Sequence, residues 1–387
     1  MRALCFYLPQ FHPIPENDRW WGPGFTEWTN VAQARPRFPG HYQPHVPADL
    51  GFYDLRLEET RVAQAELAKE YGIGGFCYYH YWFDGRQLLE RPFDEVLASG
   101  KPDFPFALCW ANGNWTRRWD GADHEVLMRQ DPDNYDAAAH MEWLVRAFRD
   151  PRYVRVDGRP LFLVYQPGHL AHRAAVIRTW RETAARLGVA DIYLVAVQSP
   201  ADDTEYAEAL ADGFDAMTEF YPTGKSLLAT GTGGALDAAW RFTRRAAQRV
   251  AVELLAPVRA KMRVLSYRAV VDYAMGRKPA GERVFPCVMP GWDNSARRRT
   301  GATVIQNDDA GLYGRWLEHA CRRVAANPAD EQIVFINAWN EWAEGCHLEP
   351  DLRNGRRFLE ATRDALAPYA QAPARRAPSA PRAAGVA

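Results

Sequence analysis

Two carboxylates three positions apart, Glu341 and Glu344, stand near the end of the stretch Ile333 to Asp351, IVFINAWNEWAEGCHLEPD. In a helical turn that spacing puts both side chains on one face, with β-carbons about 5–6 Å apart. Two carboxyls that close raise one another's proton affinity, so one can act as an acid while the other acts as a base. Asn337, Trp339, Asn340, Trp342, His347 and Glu349 surround them, and Gly345 permits an unusual backbone angle. A solvated charged loop has no use for two indoles. Each indole offers a flat apolar face and one polar edge, which suits a sugar ring with its C–H faces and hydroxyl rim.

The element that delivers these residues is a buried strand, Ile333-Val-Phe-Ile336, four apolar residues in a row. Seven further apolar runs precede it, at Ala3–Leu8, 73–82, 104–110, 160–165, 192–197, 214–220 and 284–289. Helical patterns alternate with them, at 54–71, from Asp133 or Asn134 to 149, at 171–187, around 203–211, at 309–326 and at 354–367. Eight such units predict an α/β fold, a (β/α)₈ barrel of TIM type; a doubly wound sheet is the alternative. The expected domain runs over 1–369, with a long N-terminal loop at 14–51 and a helical insertion after strand six, at about 224–280. That insertion would carry helices at 236–255 and 257–275. An Ala/Pro/Arg-rich tail over 370–387 reads as disordered.

A barrel gathers the C-terminal ends of its strands on one face, where its chemistry sits. The residues gathered there supply the candidate sugar contacts: Tyr7, Gln10, Tyr79, His80, Trp82, Trp110, Asn112, Gln166, Glu219, Tyr221, Trp292, Asp293, Trp339, Asn340 and Trp342. His12, Glu27 and Trp28 from the N-terminal loop, and Trp115 and Trp119 after strand three, join them. Asp293 is a candidate to hold a hydroxyl or a neighbouring arginine such as Arg297.

The composition agrees with an aromatic site. The chain has 14 Trp, 17 Tyr and 18 Phe, and many of the tryptophans sit beside Asn, Gly, Asp and Glu. A net charge of −1 supplies no basic excess for nucleic acid or an anionic membrane. No apolar run approaches the ~20 residues of a membrane span, and the chain enters a strand almost at once, without the pattern of a signal peptide. Six isolated cysteines read as free thiols of a reducing, cytoplasmic setting. Thr223-Gly-Lys-Ser226 lacks the first glycine of a P-loop, and Gly231-Thr-Gly-Gly234 does not directly follow a strand. Asp131-Pro-Asp133 suits helix capping better than a metal. Metal-ligand spacing is missing, so neither a metal nor a cofactor is expected.

Six segments carry a family resemblance: FYLPQFHPIPENDRWWGPGFTEWTNV (Phe6 to Val31), GHYQPHVPADLGFYDLR (Gly40 to Arg56), GIGGFCYYHYWFDG (Gly72 to Gly85), CWANGNWTRRWDG (Cys109 to Gly121), PGWDN (Pro290 to Asn294) and NAWNEWAEGCHLEPD (Asn337 to Asp351). Together they resemble the WbsX-like family, grouped with glycoside hydrolase family 99-like domains and common in bacterial surface-polysaccharide gene clusters. The resemblance spans about Met1 to Tyr369 apart from the insertion. It implies a (β/α)₈ barrel and carbohydrate chemistry, in a family whose members carry both glycosyltransferase and glycosidase-like labels.

The endo-α-mannosidases similar to it share the NEW-x-EG motif, which falls here on Glu341 and Glu344. That resemblance implies Glu341 as base on the sugar 2-hydroxyl and Glu344 as acid and base at the leaving oxygen, with configuration retained. The expected partner is a carbohydrate, with association to polysaccharide-assembly enzymes as a further expectation. The leading reading is a glycoside hydrolase-like enzyme on an α-linked glycan or surface-polysaccharide intermediate. A glycosyltransferase of lipopolysaccharide, O-antigen or capsule synthesis is the second, and a non-catalytic glycan-binding protein the third.

Overall fold

A computed structural model describes residues 1–117, 122–199, 202, 204–231 and 262–369. Its centre is a barrel of parallel strands. β1 (Arg2–Tyr7), β2 (Gly75–Phe83), β3 (Phe106–Trp110), β4 (Arg159–Val164), β5 (Tyr193–Gln198) and β6 (Ala216–Glu219) pair in sequence order. The last strand, β8 (Ile333–Ile336), pairs with β1. Between them β7 comes in two pieces, Val284–Phe285 and Cys287–Val288, on either side of Pro286. Its first piece pairs with β6 and its second with β8, so one interrupted strand closes the ring. Proline has no N–H to give to a ladder, and the break falls on it. Its carbonyl still accepts from the Phe335 N–H at 2.9 Å.

The strands read as continuous apolar runs because both of their faces are covered. Inside the barrel, Phe6 stacks on Tyr79 and Phe335 and meets Phe220 edge-on. Outside, helices cover the ring: α3 (Glu58–Glu70), α4 (Arg91–Ser99), α5 (Ala137–Phe148), α6 (Arg173–Arg186), α7 (Tyr206–Asp212), α10 (Ala310–Val324) and α11 (Arg357–Leu366). The barrel expected from the alternation of strands and helices is the fold observed.

Several local expectations are corrected. The N-terminal loop holds two helices, α1 (Pro15–Trp21) and α2 (Glu27–Gln33). Each has seven residues, too short for an apolar stripe to show. The cap of α5 is Asp136, whose carboxylate accepts from the Ala139 N–H, rather than Asp133 or Asn134. Asp131 instead accepts from the Asp133 N–H and the Asn134 amide, closing a turn ahead of the helix.

After β6 the chain enters α8 (Gly224–Gly231), where Thr223 Oγ1 accepts from the Ser226 N–H. The helix expected over 257–275 is replaced, within the described residues, by a strand and a shorter helix, Arg263–Ser266 and α9 (Tyr267–Gly276). The strand joins Thr303–Gln306 and Trp292–Asp293 in a separate three-stranded sheet. Trp119, the helix expected at 236–255, Thr232-Gly-Gly234 and the tail over 370–387 lie outside the described residues. Among the described residues no helix is long and apolar enough to cross a membrane, and all six cysteines are buried free thiols.

Candidate active site

The carboxylate pair is held by the way the chain leaves β8. The Asn337 amide donates to the Tyr221 carbonyl at 2.8 Å, and the Trp339 N–H donates to the Phe6 carbonyl at 2.8 Å. Asn340 then serves as a substitute strand partner for Leu8. Its Oδ1 accepts from the Leu8 N–H at 2.7 Å, and its Nδ2 donates to the Leu8 carbonyl at 3.0 Å. Asn340–Glu341 pairs with Cys346–His347, and a 3₁₀ turn, Trp342–Glu344, joins the two. With three residues per turn, side chains at i and i+3 eclipse in such a turn, so Glu341 at its start and Glu344 at its end share a face. Gly345 ends the turn at φ +55°, and a β-carbon there would lie 3.0 Å from the Asp293 β-carbon. Both backbone angle and space call for glycine.

Arg297 supplies the cation. Its Nη2 meets Glu341 Oε2 at 2.9 Å, its Nη1 meets Glu344 Oε1 at 2.9 Å, and its Nε meets Glu27 Oε1 at 2.6 Å. Three carboxylates therefore share one guanidinium. Burial pushes Glu341 up to about 8; Arg297 draws it down, and Glu344 and Glu27 raise it again. Burial also raises Glu344, against the pull of Arg297. The excess negative charge favours one retained proton on the pair near neutrality, which leaves one acid and one base side by side.

A cavity of about 240 Å³ opens over this cluster, and Glu341, Glu344 and Arg297 line it. Trp21, Trp115, Tyr79, Tyr81, Tyr165 and Phe220 form its aromatic wall, and Gln10 and Asn114 add amides. Of the residues expected in the pocket, Gln10, Tyr79, Trp115, Glu341 and Glu344 line it. Glu27 reaches it through Arg297 alone and is fully buried.

The remaining candidates lie elsewhere. Several are one residue out of phase with the barrel interior, because side chains along a strand alternate in direction. The cavity takes Tyr79 and Tyr81, while His80 and Trp82 face α5. His80 Nε2 lies 2.9 Å from His140 Nε2, and Trp82 stacks on the His140 ring. Tyr7 likewise donates to Gln64 on α3 at 2.7 Å. Phe220 is lining, but Glu219 pairs with Arg323 at 2.9 Å and Tyr221 packs edge-on to Trp316, both on α10. Trp110 stacks on Tyr135 and donates to the Trp82 carbonyl.

Others are spent on backbone or core. Asn112 and Gln166 bond each other through the Gln166 backbone. Trp28 donates to the Tyr53 carbonyl, and Trp339 packs against Phe76. Trp342 donates to Glu349 at 2.6 Å and stacks on His347. Trp292 and His12 are buried away from the cavity; burial lowers His12 to about 4. Asp293 binds His41 at 2.6 Å and Gln43 at 2.8 Å, not Arg297. Burial would raise Asp293, but hydrogen bonds from His41, Ser295 and Gln43 outweigh it and hold it low. Trp21 and Asn114 line the cavity without any signal in the sequence; Tyr81, Tyr165 and Phe220 fall in strand ends expected on this face but are not singled out there as contacts. The alternation of strand residues was the available signal for Tyr81, Tyr165 and Phe220. Arg297, a candidate partner of Asp293 by sequence, instead meets Glu27, Glu341 and Glu344.

Known proteins resemble this chain in sequence and in fold. A family model described as Glycosyltransferase WbsX matches residues 3–362. The uncharacterized protein WxcX of Xanthomonas campestris pv. campestris is 42% identical over 374 residues, covering 94% of this chain and 49% of that protein. A second strain's WxcX is 42% identical over 364 residues, with the same coverage of each. The chain thus spans about half the length of the curated relatives it matches. Among solved structures, the GH99 endo-α-mannosidase from Bacteroides thetaiotaomicron superposes with a TM-score of 0.56 at 15% identity, over 95% of this chain and 97% of that one. A protein described as glycoside hydrolase-like superposes with a TM-score of 0.55 at 15% identity, over 94% and 93%. At these identities the likeness is one of fold.

Proposed function

From the premise that the chain belongs to the WbsX glycosyltransferase family, we propose that it is a glycoside hydrolase-like enzyme acting on an α-linked glycan or surface-polysaccharide intermediate. One observation carries this reading: Glu341 and Glu344 share a face of one turn at the floor of an aromatic cavity, joined through Arg297. The aromatic wall suits sugar C–H faces, and Gln10, Asn114 and Arg297 suit hydroxyls.

The proposed chemistry needs no enzyme nucleophile. Glu341 as carboxylate takes the proton of the sugar 2-hydroxyl, and that oxygen attacks the anomeric carbon. The bond to the leaving oxygen breaks as Glu344 gives it a proton. Glu344, now a carboxylate, takes a proton from water, whose oxygen opens the three-membered ring. Glu341 returns its proton to the 2-oxygen, and configuration is retained. In the ligand-free site burial favours the proton on Glu341, whose side chain is 6% exposed against 21% for Glu344. The roles therefore require the bound sugar to invert that order, with its 2-hydroxyl donating to Glu341.

The second reading is glycosyl transfer at the same carboxyl pair, and the description of the family favours it. The deciding experiment is mass spectrometry of surface glycan incubated with wild-type protein, with Glu344→Gln and with Glu341→Gln, each with and without nucleotide sugars. Chains shortened without donor by the wild type alone support hydrolysis by this pair. Growth only with donor replaces hydrolysis with transfer. Full activity of Glu344→Gln removes the assigned roles.

A further inference from the structure

Behind the catalytic turn, on the side away from the cavity, the segment after α2 meets the hairpin that follows β8. His45 Nδ1 lies 2.9 Å from His347 Nε2, and Asp351 Oδ2 lies 3.9 Å from the same His347 nitrogen. These three donor atoms all fall within 4.8 Å of one another, and all three residues are buried. We propose that His45, His347 and Asp351 bind one divalent transition-metal ion of the zinc class, which fastens the N-terminal segment to the turn that carries Glu341 and Glu344. Nothing in the sequence spacing signals this set, because His45 and His347 are 302 positions apart.

Three features fit an ion at this place. His347 Nδ1 lies 2.9 Å from the Glu349 carbonyl, which can only accept, so Nδ1 carries the proton and Nε2 presents a lone pair. Ligating histidines are commonly oriented in this way by a carbonyl behind the ring. Asp351 is only 3% exposed; its carboxylate accepts from the Asn354 N–H at 2.5 Å and the Asn354 amide at 3.3 Å, and among the described residues neither a lysine nor an arginine lies within ion-pair distance to balance its charge.

The third feature is space. A cavity of about 20 Å³ is lined by His45, His347 and Asp351 together, with Asp308 on its wall. That is room for one ion or one water, and a water can complete a tetrahedron. Metal–nitrogen bonds of about 2.0–2.1 Å set tetrahedral donors about 3.3 Å apart. The two imidazoles would therefore separate by a few tenths of an ångström on binding. The ion would brace the active site indirectly. A β-carbon added at Gly345 would lie 3.3 Å from the His45 ring, and Trp342 stacks on His347 with ring centroids 3.7 Å apart.

The test is equilibrium dialysis of the chelator-stripped 387-residue chain against Co²⁺ and Zn²⁺, with visible spectroscopy of the cobalt form. Wild type should take up one ion per chain, show the d–d absorption of tetrahedral cobalt, and gain thermal stability with Zn²⁺. His45→Gln and Asp351→Asn should each weaken binding at least about tenfold. Should either variant fail to fold, the wild-type stoichiometry and spectrum still decide the matter. Stripped wild type that takes up neither ion stoichiometrically overturns the proposal. So does uptake undiminished in both folded variants.

Discussion

At the scale of single residues, the site is a problem of charge. Arg297 faces Glu27, Glu341 and Glu344, and none of the four is more than about a fifth exposed. Replacing Glu341 or Glu344 with glutamine is expected to lower turnover by about 10²- to 10⁴-fold while leaving the circular dichroism spectrum unchanged. Arg297→Met should destabilise the fold by about 3–5 kcal/mol, because it strands buried carboxylates; chemical denaturation reads this directly. The pH dependence follows from Glu341. Its folded value of about 8 lies above its ordinary 4.5, so between those values the folded state holds a proton that the unfolded state has lost. Stability contributed by that proton declines as pH rises through the window and is gone above about 8. Melting temperatures should fall accordingly, and Glu341→Gln should flatten the slope. Activity should fall over the same upper limb, as the pair loses its last proton.

At the scale of elements, the carboxylate pair and its turn were legible in sequence, and much of the surrounding pocket was not. Glu341 and Glu344 share a face because three-residue spacing suits a 3₁₀ turn, and Gly345 marks its end. Gly345→Ala is expected to cost about 1–3 kcal/mol from its left-handed backbone, with contact against Asp293 added to it; thermal melts measure the loss. The strand ends were harder. An apolar run buried on both faces carries no polar alternation to say which residues point inward. His80 and Trp82 were consequently read as pocket residues although they face α5, while Tyr81 beside them lines the cavity. Trp339, Asn340 and Trp342 lie off the cavity for another reason. They look like sugar ligands by type, but the exit from β8 consumes them in backbone bonding and packing. Asn340→Ala, which unpairs both polar groups of Leu8, should therefore lower the melting temperature even without substrate.

At the scale of the whole molecule, the barrel was readable because eight apolar runs alternate with helices and end in polar aromatics. Its closure was not, since nothing in the sequence says that β7 splits at Pro286 to serve two neighbours. The helices of the N-terminal loop were too short to announce themselves, and Arg297 meets its three carboxylates only through contacts between segments far apart in sequence. We propose that residues 1–369 fold as one unit around that ring. Far-ultraviolet circular dichroism and tryptophan fluorescence should then report coincident unfolding transitions. Two separated transitions would show that the barrel is divided.

Arg297 also bears on how such a protein can change over generations. Glu27 comes from the first thirty residues, Arg297 from the segment after β7, and Glu341 and Glu344 from the end of the barrel. Loss of the guanidinium leaves three acids in conflict, and loss of Glu27 leaves the guanidinium free to hold Glu341 and Glu344 more tightly. Positions 27 and 297 are thus tied in inheritance, each tolerating drift only when the other compensates. A library randomised at both positions and selected for glycan processing should return matched pairs far more often than independent choice allows.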